Sequence, residues 1–169
     1  MNKQELERYV ALYRKTVCNA ALCYVRNAAD AEDIAQEVFL KLYTSDIRFE
    51  SDDHVKAWLI RCAVNLGKSL LRSHWHRNAL PLEAAENIPS PESRGEAGEM
   101  LKIMRRLSKN NRIALYMHYY EGYTLEETAQ ILGISPNTVS SRLRRGREQL
   151  KKLLVQERNT LDDELQRFF

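Results

Sequence analysis

Apolar side chains recur at intervals of three and four residues along most of the chain, with polar and charged residues between them. This period is typical of amphipathic helices that bury one face. The first series predicts a helix over residues 3–26, and its inward positions are Leu6, Val10, Tyr13, Val17, Ala20 and Tyr24. The pattern as a whole predicts an all-α protein.

Two further helices are predicted before residue 78. Asn27 is suited to cap a helix over residues 28–43, whose inward positions are Ala31, Ile34, Ala35, Val38, Phe39 and Leu42. After a loop at residues 44–53, a long helix runs to about Arg77, with Val55, Leu59, Cys62, Leu66 and Leu70 facing inward. Three such helices can close a small bundle.

The helical period stops at residues 79–98, which contain three of the four prolines. This stretch predicts a flexible linker. Beyond it, one helix begins with Met100, Ile103, Met104 and Leu107, and another has Ile113, Ala114, Met117 and Tyr120 facing inward. The chain is thus predicted to form two small helical domains, at residues 1–78 and 99–155, followed by a tail at 156–169 to which the sequence assigns no role.

A helix-turn-helix is predicted within residues 122–147. Thr124 and Glu127 form an S/T-x-x-E capping box at the start of the first helix, and Gly133 suits the positive φ of a helix stop. Ser135 can then cap a second helix with Pro136 at its first position.

The second helix of this motif is predicted to contact DNA. With Val139, Leu143, Gly146, Leu150 and Leu153 turned inward, its outer face carries small hydrogen-bonding residues first and arginines after them. A helix that enters a major groove needs this order, because its N-terminal residues contact base edges and later cations meet the phosphates. An ordinary solvated face is the alternative, and the caps and tight turn favour DNA.

The net charge of +3 conceals three blocks of charge. Residues 28–53 hold eight acids against two bases, whereas residues 54–78 hold five bases and no acid. Residues 100–155 hold eleven bases against four acids. The blocks indicate two nucleic-acid contacts and a partner that is itself basic.

Several function classes find no support in the sequence. Its apolar stretches are short and no signal peptide is evident, so the protein is expected to be cytoplasmic and not inserted in a membrane. Cys18, Cys23 and Cys62 are expected to be buried, reduced thiols. His74 and His76 lack a second pair of ligands, and no catalytic constellation is recognisable. We therefore expect no metal, no cofactor and no enzymatic activity.

Three segments together resemble the extracytoplasmic-function (ECF) sigma factors of bacterial RNA polymerase. They are DAEDIAQEVFLKLY from Asp30 to Tyr43, AWLIRCAVNLGKSLLR from Ala57 to Arg72, and the helix-turn-helix. Their order around a linker makes the resemblance specific, and it covers nearly all of residues 5–155. The chain departs from the family at Thr128, where isoleucine is usual.

The resemblance implies contacts with a promoter and with core RNA polymerase. The helix-turn-helix would bind the minus-thirty-five element as duplex, through Asn137, Thr138, Ser140, Ser141, Arg142, Arg144, Arg145 and Arg147. The minus-ten element would be held as a single strand by Arg48, Phe49, Arg61, Asn65, Lys68, Arg72 and Arg77. Core polymerase would bind Asp30, Asp33, Gln36 and Glu37, and an anti-sigma factor is a further implied partner.

Two other functions remain open at this stage. A conventional helix-turn-helix regulator with an N-terminal dimerisation or sensing module would explain the last third of the chain. It would not need the basic helix at residues 54–78. An adaptor that binds a basic protein without DNA is the other alternative, and the arginines of the second helix argue against it. A promoter-specificity subunit of RNA polymerase accounts for all three blocks of charge.

Overall fold

The computed structural model describes the backbone of residues 1–77 and 103–168, with all side chains there except those of 74–77, 157 and 159–168. The described residues form helices and no strand, which confirms the all-α prediction. The chain divides into two compact units, Met1–Ser90 and Pro91–Phe169. The predicted linker at residues 79–98 lies outside the described residues.

The N-terminal unit is a bundle of three helices that all pack against one another: α1 (Lys3–Leu22), α2 (Ala28–Thr44) and α3 (Asp52–Arg77). The predicted cap is present, since the Asn27 side chain accepts a hydrogen bond from the Asp30 amide at 2.7 Å. All six predicted inward positions of α2 are buried. The hydrophobic period was therefore a sound guide to the face that α2 buries.

Helix α1 ends four residues before its predicted end. The amides of Tyr24 and Val25 both bond to the carbonyl of Ala21, so the chain turns there and buries both side chains. On α3 the prediction is right for Val55 and Leu59, but the buried face is wider, since Ile60, Ala63 and Val64 are also buried. Cys62, Leu66 and Leu70 are only half-buried, at the edge of that face.

The start of α3 is tied to α1 through Asp52. Its carboxylate accepts hydrogen bonds from the Arg8 guanidinium and, at 3.1 Å, from the Tyr9 hydroxyl. The Tyr13 hydroxyl bonds to the Asp52 backbone carbonyl at 3.4 Å. The hydrogen bond from Arg8 holds the pKa of Asp52 below its usual range. These contacts position the loop at residues 45–51, which carries Arg48 and Phe49.

The C-terminal unit contains α4 (Lys109–Leu115), a π-helical segment (Tyr116–Tyr120), α5 (Leu125–Leu132) and α6 (Pro136–Phe168). Its buried residues include Ile113, Met117, Val139 and Leu143. Gly146 allows α4 to approach α6 closely, because a Cβ there would lie 2.9 Å from Leu115 Cδ1. Helix α6 includes the predicted tail and continues to Phe168.

The prediction that Tyr120 faces inward is wrong, because the backbone changes period at Tyr116. The amide of Glu121 bonds to the carbonyl of Tyr116, five residues earlier, instead of four. This wider turn rotates the side chains that follow. As a result Tyr119 and Tyr120 are 56% and 51% exposed.

Arg112 connects α4 to the residues before it. Its Nε atom donates to the carbonyl of Met104 at 2.9 Å, and its Nη2 atom donates to those of Arg105 and Leu107 at 2.6 and 2.9 Å. Residues 103–105 are helical, and carbonyls at a helix end lack partners within the helix. The Arg112 guanidinium supplies donors to the carbonyls of Arg105 and Leu107 and a second donor to that of Met104, which also accepts from the Leu107 amide at 3.1 Å.

The predicted helix-turn-helix is present with its caps. Thr124 and Glu127 form the reciprocal capping box of α5, and Gly133 adopts the left-handed conformation at φ 65°. The Ser135 hydroxyl accepts a hydrogen bond from the Thr138 amide at 3.1 Å, and α6 begins at Pro136. Each of these local features matches its sequence-based prediction.

Thr128 is fully buried within α5, and its hydroxyl has no hydrogen-bond partner among the described residues. A buried hydroxyl without a partner retains the cost of its desolvation. We expect Thr128→Val, which keeps the shape, to raise the free energy of unfolding by about 1 kcal/mol in chemical denaturation. Thr124→Val is the matched control, and it should destabilise by about 1 kcal/mol because it removes a cap. Destabilisation by Thr128→Val would contradict this account of the site.

None of the three cysteines forms a disulfide among the described residues, as predicted, but their burial differs from the prediction. Cys23 is buried, whereas Cys18 and Cys62 are half-buried. Desolvation raises the pKa of the Cys62 thiol, although Lys41 and Arg61 oppose the shift. Burial thus favours the protonated form of this thiol.

Candidate nucleic-acid interface

The first two turns of α6 present small polar side chains to solvent. Asn137 and Ser140 are exposed, and Ser141 is half-buried. Thr138 differs from them, because its hydroxyl lies 2.8 Å from the Ser135 hydroxyl and belongs to the helix cap. Asn137 and Ser141 are four residues apart and thus share one face. This face is free of bulky side chains at the end that would approach base edges.

Arginines follow on the same helix. Arg144, Arg145 and Arg147 are exposed, and Arg142 is half-buried. Arg144 forms an ion pair with Glu148 at 3.2 Å, in which both side chains are more than half exposed. Arg147 donates to the Tyr119 hydroxyl at 3.1 Å. The structure therefore places all the predicted minus-thirty-five residues on one helix and leaves most of them accessible.

The sequence analysis missed further candidates beside this face. Lys151 and Lys152 are exposed and follow Arg144 and Arg145 by seven residues, which keeps them on the same side of α6. This spacing could have identified them from sequence. Tyr119 could not have been found in this way, because its position depends on the π-helical segment.

A second cationic stripe runs along α3. Its members recur at spacings of four, three and four residues and so share one face: Arg61, Asn65, Lys68 and Arg72. All are exposed except Lys68, which is half-buried and has its Nζ 5.8 Å from the centre of the Tyr24 ring. The side chain of Arg77, like those of His74 and His76, lies outside the described residues.

The loop before α3 holds Arg48 and Phe49 differently. Arg48 is exposed, whereas the Phe49 ring is half-buried and meets the rings of Trp58 and His54 edge-on at 5.7 and 5.2 Å. The His54 amide also bonds to the Ser51 hydroxyl at 3.1 Å. Phe49 therefore lies in a small aromatic cluster at the N-terminal end of α3.

The predicted polymerase-binding residues lie along α2. Asp33, Gln36 and Glu37 are exposed, and Glu37 forms an ion pair with Lys41 at 2.9 Å. Asp30 is half-buried, and its carboxylate accepts a hydrogen bond from the side-chain amide nitrogen of Asn27 at 2.9 Å. Gln36 also borders an apolar groove between α1 and α2. The acidic face is thus real, but Asp30 is partly engaged in the helix cap.

Neither a metal centre nor a membrane span is found in the part of the chain that the structure describes. No group of three or more His, Cys, Asp or Glu side chains there could hold a metal ion. No helix among those same residues is both long and apolar enough to cross a membrane.

Comparisons with known proteins match both units. The family model for Sigma-70 region 2 matches residues 9–77, and that for Sigma-70, region 4 matches residues 97–150. RNA polymerase sigma factor CarQ of Myxococcus xanthus is 33% identical, over 77% of this chain and 78% of its own length. The ECF RNA polymerase sigma-E factor of Escherichia coli is 30% identical, over 82% of this chain and 81% of its own length.

Other matches agree with these. "Probable RNA polymerase sigma factor RfaY" of Xanthomonas campestris is 33% identical over 94% of this chain, which spans 42% of the length of that relative. The fold is similar to that of sigma factor RpoE of Bartonella quintana in complex with the anti-sigma factor NepR. The TM-score is 0.73 at 22% identity, and the match covers 89% of this chain and 97% of the other.

The chain therefore belongs to the sigma-70 family of RNA polymerase sigma factors, in its ECF subfamily. Its function is accordingly to bind core RNA polymerase, recognise promoter DNA and help to initiate transcription. The alternative of a conventional helix-turn-helix regulator is not favoured, because the region 2 model matches the N-terminal helices.

Proposed function

We propose that the two units divide the promoter between them. Residues 99–155 bind the minus-thirty-five element as duplex through the outer face of α6. Residues 1–78 hold the minus-ten element as an unpaired strand through α3 and bind core polymerase through the acidic face of α2. The observation that carries this proposal is the pair of exposed cationic helix faces, one on each unit.

The two faces suit different forms of DNA. The outer face of α6 begins with small side chains. These allow the helix to enter the major groove of duplex DNA, which is about 12 Å wide. The stripe on α3 combines three cationic side chains with the amide of Asn65, and it lies near the aromatic cluster around Phe49. A cationic track with nearby aromatic rings is typical of single-strand binding.

The remaining partners and surroundings are part of the same proposal. The protein acts in the cytoplasm, takes no cofactor or metal, and has no enzymatic activity of its own. An anti-sigma factor regulates it, by analogy with RpoE of Bartonella quintana, which was crystallised in complex with the anti-sigma factor NepR. The carboxylates of Asp33 and Glu37 attract a basic surface of core polymerase, because complementary charge speeds and orients docking. Gln36 beside them adds a hydrogen-bonding group.

The test is run-off transcription by purified bacterial core polymerase on a library of promoter fragments, with and without this protein. Initiation from defined start sites that requires the protein would support the proposal and would yield both promoter elements. Core binding without initiation from any fragment would contradict it. Conserved bases at two spaced positions are expected among the active fragments, because each unit reads its own element.

Asn65→Ala should leave binding of the minus-thirty-five duplex unchanged but reduce the open fraction of the promoter about tenfold. The reason is that a side-chain amide can hydrogen-bond the edge of an unpaired base, and alanine cannot. Permanganate reactivity of unpaired thymines measures the open fraction.

Ser69→Ala is the matched control for Asn65→Ala. Ser69 is exposed one turn further along α3 and is outside the proposed contact set. It should open the promoter as the unmodified protein does. Normal opening by Asn65→Ala would remove Asn65 from the site.

A further inference from the structure

Tyr119 occupies an unusual position beside the DNA-binding face. The π-helical segment turns it outward, so that its side chain is 56% exposed while Tyr116 and Met117 remain buried. Its ring meets the His118 ring edge-on at 4.9 Å, and the His118 Nδ1 atom lies 2.9 Å from the carbonyl of Tyr123. Single π-helical turns occur frequently at functional sites.

The Tyr119 hydroxyl is linked to α6 by a directed hydrogen bond. Arg147 Nη1 donates to the hydroxyl oxygen at 3.1 Å, because a guanidinium can only donate. The bond from Arg147 is the one hydrogen bond of Tyr119 among the described residues. The hydroxyl hydrogen of Tyr119 is therefore still available to an acceptor. An acceptor that lies beside a guanidinium and an O–H donor would be favoured if it were anionic.

The pair lies where a phosphate would pass. Ser140 and Arg147 are seven residues apart, so they lie on one edge of α6, and Tyr119 extends this edge. A helix with its side chains is about as wide as the major groove, so the edges of an inserted helix face the two DNA backbones.

We propose that Tyr119 is a DNA-contacting residue of this sigma factor. Its hydroxyl holds the Arg147 guanidinium in place and donates its own hydrogen to the same backbone phosphate of the minus-thirty-five duplex. The inference rests on the proposed role of α6 and adds a residue outside the helix-turn-helix to it. Because phosphate contacts carry no sequence information directly, Tyr119 contributes affinity and register and not base preference.

The experiment uses the full chain assembled with core polymerase and a duplex that carries the minus-thirty-five element found by run-off selection. Tyr119→Phe removes the hydroxyl and keeps the ring, and it should weaken binding about tenfold. Tyr120→Phe is the matched control, since Tyr120 is 51% exposed in the adjacent position but stacks on Tyr116. Tyr120→Phe should bind like the unmodified protein.

A second readout separates a phosphate contact from a structural role. Single phosphates of the duplex are replaced in turn by neutral methylphosphonates. Replacement at one position should cost the unmodified protein more affinity than it costs Tyr119→Phe, because only Arg147 still contacts that phosphate in the variant. Tyr119→Phe should also add little to the loss caused by Arg147→Ala. A merely structural hydroxyl would leave the response to methylphosphonates unchanged.

The outcomes also distinguish the two proposals. If the unmodified holoenzyme has no preference for the minus-thirty-five duplex, the proposed role of α6 is wrong and the Tyr119 contact is wrong with it. If the unmodified holoenzyme binds and Tyr119→Phe binds equally well, or shows the same methylphosphonate profile, only the role of Tyr119 is overturned.

Discussion

Replacing Arg112 with alanine is expected to lower the free energy of unfolding of the C-terminal unit by about 2 to 4 kcal/mol. The Arg112 guanidinium donates to the carbonyls of Met104, Arg105 and Leu107. Alanine removes the guanidinium donor from all three partly buried carbonyls, of which Met104 keeps the bond from the Leu107 amide. A lost hydrogen bond from a charged group costs more than a neutral one. The loss should be confined to the unit that contains α4.

Hydrogen exchange on the full chain is the appropriate measurement for Arg112→Ala, because unfolding of two units need not be a single transition. Protection should fall for the amides of α4 and stay unchanged for those of α2. Lys109→Ala, at an exposed position of the same helix, is the control and should have little effect. Arg112→Lys should be nearly as damaging as alanine, since one ammonium group cannot match the fork of three donors. Unchanged protection of α4 in Arg112→Ala would contradict the assigned role.

Arg144→Ala is expected to weaken binding of the minus-thirty-five duplex by about 1 to 3 kcal/mol and to relax the choice of sequence. The exposed ion pair with Glu148 does not prevent a base contact, because such pairs contribute about 1 kcal/mol or less. The guanidinium can therefore exchange the carboxylate for the edge of a guanine. Competition binding of the holoenzyme to duplexes that differ at single positions measures both effects.

Arg145→Ala provides the contrast for Arg144→Ala. Arg145 is also exposed. By the resemblance to ECF sigma factors, however, Arg145 would face phosphates, as Arg142 and Arg147 would, whereas Arg144 would lie nearest the bases. Arg145→Ala should weaken binding to all duplexes by a similar factor and lower the dependence of affinity on salt. Glu148→Ala should not weaken binding, since it removes a negative charge from the face. If Arg144→Ala preserves discrimination between duplexes, Arg144 is not a base-reading residue.

Features encoded by contiguous residues were predictable from the sequence. The cap at Thr124, the left-handed Gly133 and the helix start at Pro136 depend on the chemistry of single positions and their neighbours. The inward face of α2 was predictable for a similar reason, because its apolar side chains form one regular stripe and all six predicted positions of that stripe are buried. The stripe on α3 and the outer face of α6 followed from the same spacing.

Features that depend on residues distant in the chain were not predictable. The hydrogen bonds from Arg8 and Tyr9 to Asp52 span more than forty residues, and that from Arg147 to Tyr119 spans twenty-eight. No local pattern encodes such pairs. The π-helical turn was missed because the apolar period of Ile113 and Met117 is compatible with an ordinary helix, and so Tyr120 was placed on the wrong face. The burial of Ile60 and Val64 likewise reflects contact with two helices at once.

Helix α6 is one continuous element from Pro136 to Phe168, a length of about 50 Å at 1.5 Å per residue. The segment that we propose contacts DNA and the part beyond Leu150 therefore belong to one unbroken helix. The rotation of the two ends of α6 about the helix axis is also fixed, since each residue inserted or removed between them would rotate one end relative to the other by about 100°.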